Sequence, residues 1–187
     1  AGGHQKAAGE NREISGSVMA KYNPKILVVD DNEDNRYTLQ RRLKKDGYSE
    51  IVLVNGGQEA LDIVYEETFD LILLDLMMPD ISGLEVLQQI KSDPDLRHIP
   101  VTMVTASDDV DSAAECIQSG ADDYITKPIN ATLLNARVSS SLDKKRVRDL
   151  EASYLGRVEE EKKKTNDLLH SVLPKGTVGE IKSASNI

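Results

Sequence analysis

The sequence has one cysteine, Cys116, one phenylalanine, no tryptophan and no apolar run of membrane-spanning length. A single cysteine excludes an intrachain disulfide, which fits a reducing, cytoplasmic setting. A bilayer-spanning helix needs about 18–20 consecutive apolar residues. None is present, and the N-terminus lacks the apolar core of a signal peptide, so no membrane insertion is expected. Basic residues are also in short supply: 23 Lys and Arg face 32 Asp and Glu, for a net charge of −9. Neutralising phosphates needs a basic face, so nucleic acid is not an expected partner. What the chain does have is 39% hydrophobic residues over 187 positions. That is enough for one core plus extensions.

The apolar residues are grouped. KILVVDD from Lys25, EIVLV at 50–54, DLILLD at 70–75, PVTMVTA at 100–106 and DDYITKP at 122–128 are short and β-branched. Continuous apolar runs, unlike alternating ones, indicate strands buried on both faces. Amphipathic stretches of helical length separate them. They are marked by Tyr37, Leu39 and Leu43; by Ala60, Leu61, Val64 and Tyr65; by Leu84, Val86, Leu87 and Ile90; and by Ala113, Ala114 and Ile117. Gly47 and Gly120 stand where helices stop. Five alternations predict an α/β fold with a parallel sheet covered by helices on both sides. Residues 1–23 show no periodicity and are expected to be a disordered tail, with Met19 a candidate start. From Asn130 to Val172 helix formers dominate, which predicts a last helix running well past the domain. A heptad-like seam runs through Leu155, Val158, Lys162, Thr165, Leu169 and Val172, the pattern of a parallel coiled coil. Pro174 is expected to stop that helix, with residues 175–187 a flexible tail.

Residues 71–80 read LILLDLMMPD, a greasy strand that ends in a carboxylate. In open parallel sheets ligands bind beyond the carboxyl ends of the strands. Those ends carry Asp30 and Asp31, Asp75, Thr105 and Lys127. Any one strand-end Asp is ordinarily a turn former or helix cap, but the whole set is hard to explain that way. Three adjacent carboxylates repel one another and call for a cation. Mg²⁺, a hard ion with oxygen ligands, suits a cluster partly open to water. A carboxylate beside such an ion can attack phosphorus. Lys127 and the Thr105 hydroxyl would then meet the phosphoryl oxygens.

The segments VVDDNEDNR (28–36), LILLDLMMPDISGLEVL (71–87), VTMVTA (101–106) and GADDYITKPI (120–129) resemble, in order and spacing, a response-regulator receiver domain of two-component signalling. The resemblance covers about residues 24–145. It implies a flavodoxin-like (βα)₅ fold with a five-stranded parallel sheet and a sensor histidine kinase as partner. Residue by residue, it makes Asp75 the phospho-acceptor and Asp30 and Asp31 the acidic pair, with Asp31 the more direct Mg²⁺ ligand. The Met77 carbonyl becomes a third protein ligand, and Thr105 and Lys127 phosphoryl contacts. The Lys127–Pro128 bond is expected to be cis. Tyr124 matches an aromatic switch that turns inward as Thr105 moves toward the phosphate. Pro79 and Gly83 match the loop after the acceptor. Met77 and Ser107 occupy positions that would tune autodephosphorylation.

Residues 146–174 carry LLHSVLP, which with the following GEIKS resembles the signalling helix that precedes class III adenylate/guanylate cyclase domains. His170 reads as an exposed helix residue. The resemblance implies a regulatory piece whose extended last helix forms a homodimer and feeds an output cyclase domain absent from this chain. On this reading the chain's own chemistry is phosphorylation and autodephosphorylation. One alternative is a stand-alone adaptor or phosphorelay receiver with a docking helix. Another is a phosphatase of the haloacid-dehalogenase type, disfavoured because those enzymes show a DxD pattern where this chain has Asp75-Leu76-Met77.

Overall fold

A computed structural model of the protein describes residues 23–106 and 110–172. The elements run β1 (Lys25–Val29), α1 (Glu33–Lys45), β2 (Glu50–Val54), α2 (Gly57–Glu66), β3 (Leu71–Asp75), α3 (Gly83–Ser92), β4 (Val101–Ala106), α4 (Val110–Gln118), β5 (Asp123–Lys127) and α5 (Ala131–Val172). The strands form one parallel sheet in the order β2-β1-β3-β4-β5. This is the flavodoxin-like doubly wound order, whose switch point lies between β1 and β3.

The continuous apolar runs have a simple cause. Along β1 and β3 successive side chains enter opposite cores. Leu27, Val29, Ile72 and Leu74 meet Leu61, Val64, Val86, Leu87, Ile90 and Cys116 from α2, α3 and α4. Ile26, Val28, Leu71 and Leu73 meet Leu39, Leu43, Leu134, Val138 and Leu142 from α1 and α5. Burying a Leu- or Ile-sized side chain stabilises by about 1.5–3 kcal/mol, so both layers are needed to hold the sheet. Gly47 and Gly120 follow α1 and α4 with φ of +97° and +100°, conformations that side-chain-bearing residues resist.

Four expected core positions fall differently. Tyr37 and Tyr65 are 62% and 63% exposed. Tyr65 lies one residue past buried Val64, and its hydroxyl donates to Asp93 Oδ2 at 3.1 Å. On α4, Ala114 and Ile117 face outward, and among the described side chains Cys116 packs inside. The side chain of Ala113, residues 1–22, Ser107 and residues 173–187 with Pro174 lie outside the described set.

α5 has 42 residues, about 63 Å at 1.5 Å per residue. Only its first third is packed on the sheet, through Leu134, Val138 and Leu142. Buried Lys145 closes this contact: its Nζ lies 3.4 Å from Asp70 Oδ1 and also pairs with Asp149. Asp70 in turn accepts from the Lys25 backbone N–H at 2.8 Å. Farther out, Leu150, Tyr154, Leu155, Leu168 and Leu169 are all more than half exposed.

Candidate functional site

Asp30 follows β1 directly and is fully buried, whereas Asp31 next to it is exposed. The local sequence DDNEDNR explains how a buried carboxylate is tolerated. Asp30 Oδ1 accepts from the Asn32 N–H at 2.9 Å, and Asn35 Nδ2 donates to both Asp30 oxygens at 3.1 Å. Arg36 Nη1 donates to the Asp30 carbonyl at 2.6 Å. Capping of α1 falls to Asn32, whose side chain accepts from the N–H groups of Asp34 and Asn35. Neither aspartate is consumed as a helix cap.

Asp75 ends β3, pairs in register with Val104 of β4, and is 4% exposed. Lys127 ends β5, and its Nζ lies 3.0 Å from Asp30 Oδ2 and 3.0 Å from Asp75 Oδ1. One ammonium therefore bridges two buried carboxylates, and Asp31 completes the cluster. Asp30, Asp31 and Asp75 each offer an oxygen within 4.8 Å of the others. Burial pushes the Asp75 carboxyl above its usual range, and the charge of Asp30 adds to this. The Lys127 ammonium and the Met77 N–H oppose it without cancelling it. For Lys127, burial alone would lower the ammonium. Its hydrogen bonds and charge interactions with Asp30 and Asp75 outweigh burial and hold it above its ordinary value. The acidic cluster is partly open to water through Asp31, its only exposed member.

Thr105 is buried at 2% exposure near the end of β4, one residue beyond the partner of Asp75. Tyr124 pairs with Met103 on β5 and is 39% exposed, so its ring reaches the surface. The Lys127–Pro128 peptide is cis. The Met77 side chain is 71% exposed, and its N–H is directed to Asp75. Gly83 shapes the loop after Asp75. Its N–H donates to Leu76 O at 2.9 Å, and a Cβ there would stand 2.0 Å from Asp75 O. The structure thus brings Asp30, Asp31, Asp75 and Lys127 together, sets Thr105 at the neighbouring strand end, and leaves Tyr124 facing outward.

Sequence reasoning missed Asn32, Asn35 and Arg36. Their signal was local, since all three lie within six residues of Asp30. It also missed Asp80 in the loop after β3. Chemically, the donor set is all oxygen, anionic and partly water-accessible at Asp31, and so fits a hard divalent cation.

Residues 26–139 match the family model of the response regulator receiver domain. Among curated proteins, the chain is 38% identical over 125 residues to a Vibrio cholerae protein named "Probable cyclic di-GMP phosphodiesterase", covering 67% of this chain and 28% of that one. It is 42% identical over 116 residues to the response regulator PleD of Caulobacter vibrioides, covering 62% of this chain and 25% of that one. It therefore spans about a quarter of the length of these two relatives. Among solved structures, a signal receiver domain from Vibrio parahaemolyticus is 34% identical with a TM-score of 0.64, covering 69% of this chain and 97% of that one. The strand order, the acidic cluster, the bridging lysine and the match over 26–139 agree, and the chain belongs to the response regulator receiver domain family.

Proposed function

We propose that the chain is a phosphorylation switch in which Asp75 accepts a phosphoryl group from a sensor histidine kinase. The observation that carries this is the junction of Asp30, Asp31 and Asp75 within 4.8 Å, with Lys127 held at 3.0 Å from the proposed acceptor. An Asp75 oxygen forms the bond to phosphorus as the donor's phosphorus–nitrogen bond breaks, and the departing imidazole nitrogen keeps the electron pair. Asp30, Asp31, Asp75 and the Met77 carbonyl would hold Mg²⁺, which when bound offsets negative charge on the phosphoryl oxygens. Lys127 supplies a further cation to those oxygens. The Thr105 hydroxyl donates to one of them, and Tyr124 turns inward as Thr105 shifts. Met77 and Ser107 tune the lifetime of the aspartyl phosphate.

We assign residues 24–145 to the receiver, 146–174 to a signalling linker and 175–187 to a tail leading to an output domain. The setting is cytoplasmic, with neither nucleic acid nor membrane as partner. No helix among the described residues is long and apolar enough to cross a membrane. The exposed apolar residues of α5 past Lys145 support a homodimer in which two helices run side by side. LLHSVLP in the linker supports a class III nucleotide cyclase as output. The linker carries that assignment, because receivers with this similarity occur in relatives of different names.

Sedimentation of wild type and Asp75→Ala, each with acetyl phosphate and Mg²⁺, tests the relay. A shift confined to wild type is expected. Unchanged monomers in both, up to high protein concentration, would sink the dimeric relay.

A further inference from the structure

The loop between β3 and α3 carries Met77 and also Asp80, and Asp80 does something unexpected. Helix α2 has Gly56 at its N-cap position and so no side-chain cap of its own. A helix start leaves its first N–H groups without intrahelical partners. Here Asp80 supplies the cap from 22 and 23 residues away. Its Oδ2 accepts from the Gln58 N–H at 3.0 Å and its Oδ1 from the Gly57 N–H at 3.2 Å. Hydrogen bonds from the N–H groups of Gln58, Ile81 and Gly57, Gln58 first, hold the Asp80 carboxyl below its usual range.

The close approach is written into the two glycines. A Cβ on Gly56 would lie 2.7 Å from Asp80 Oδ2, and one on Gly57 would lie 2.7 Å from the Ile81 carbonyl. The loop is also fixed at both ends. Leu76 N–H donates to Val104 O at 3.0 Å, and Gly83 N–H donates to Leu76 O at 2.9 Å. Ser82 and Glu85 form a capping box on α3. Between these ends the Met77 N–H is directed to Asp75 and Met78 packs against the core, and Asp80 adds the tie to α2.

We propose that Asp80 is a positioning residue for the cation site: by capping α2 across the sheet edge, it holds the Met77 backbone in the orientation that lets its carbonyl bind the metal beside Asp75. This rests on the reading of Met77 as a ligand given above. Groups that orient metal ligands typically change affinity by about 10- to 100-fold when removed. The clamp also ties metal binding to the start of α2, so an occupied site should slow exchange of the Gly57 and Gln58 amides.

The test is Mg²⁺ titration by calorimetry on the full chain as wild type, Asp80→Asn and Asp80→Ala, with urea midpoints measured alongside. The expected result is Mg²⁺ binding weakened by about tenfold in Asp80→Ala, with Asp80→Asn, which keeps one acceptor oxygen, in between. Amide exchange of Gly57 and Gln58 in wild type, with and without Mg²⁺, needs no variant and should show slowing. An Asp80→Ala protein that is less stable yet binds Mg²⁺ within twofold of wild type would reduce Asp80 to a helix cap and overturn the proposal. Unchanged exchange at Gly57 and Gln58 on saturation would do the same. No Mg²⁺ binding by wild type would instead overturn the cation site itself.

Discussion

Lys127 and Asp75 touch at 3.0 Å although their strands are not neighbours, for β4 lies between β3 and β5. Adjacent strands stand about 4.8 Å apart, so the lysine crosses the end of β4 to reach the carboxylate. It reaches Asp30 beyond β1 with the same nitrogen. A single cation thus closes the carboxyl edge over the switch point of the sheet.

That bridge should be costly to remove. Lys127→Ala leaves two buried carboxylates facing each other without compensation. With Lys127 itself about a quarter exposed, the expected loss is about 3 kcal/mol, the lower end for a broken buried pair. Urea denaturation in EDTA measures it. Adding Mg²⁺ should recover part of the loss, because a cation in the acidic cluster replaces some of the missing charge.

The raised pKa of Asp75 gives stability a pH dependence with a definite sign. Burial makes the folded state hold this proton more tightly than the unfolded chain does. A folded state that binds more protons loses stability as pH rises. In EDTA, the contribution of this group is therefore present below the ordinary carboxylate value and lost as pH rises through the raised one. Asp75→Asn should remove that decline and leave the protein more stable than wild type at neutral pH. Urea midpoints across the acidic range would show it.

Gly83→Ala should damage the site through the backbone. Its new Cβ would fall 2.0 Å from the Asp75 carbonyl oxygen, and no flexible side chain can yield there. Overpacking of this kind destabilises by about 1–3 kcal/mol. Displacement of Asp75 should also reduce the yield of phosphorylated protein with acetyl phosphate, measured by intact mass at matched fractions folded.

Hydrogen exchange should divide α5 in two. Amides from Leu134 to Lys145 belong to the packed domain and should be strongly protected. Those from Leu150 to Leu169 lie on a helix with exposed apolar residues and no described tertiary contact. A lone helix of that length is only marginally stable in water, so protection there should rise with protein concentration if a second copy covers it. Protection that is low at every concentration would contradict the homodimer.

Much of the fold could be read from the chain because parallel strands buried on both faces leave unbroken apolar runs, as in LILLD. The strand ends then located the acidic cluster and Lys127. Helix faces were less legible. Tyr37 and Tyr65 are apolar enough to fit the period yet sit past the buried stripe, and Cys116 took the inward position on α4. Asp80 and Lys145 were invisible for another reason. Gln58, which Asp80 caps, and Asp70, which Lys145 meets, lie 22 and 75 residues away, and no local pattern marks a carboxylate that caps a distant helix or a lysine buried beneath a strand end.

The central claim is that Asp75 accepts a phosphoryl group. Intact mass after incubation with acetyl phosphate and Mg²⁺, on wild type and Asp75→Ala, tests it most directly. The account predicts one labile phosphate adduct on wild type and none on the variant. No adduct on wild type, or an equal adduct on Asp75→Ala, would contradict it.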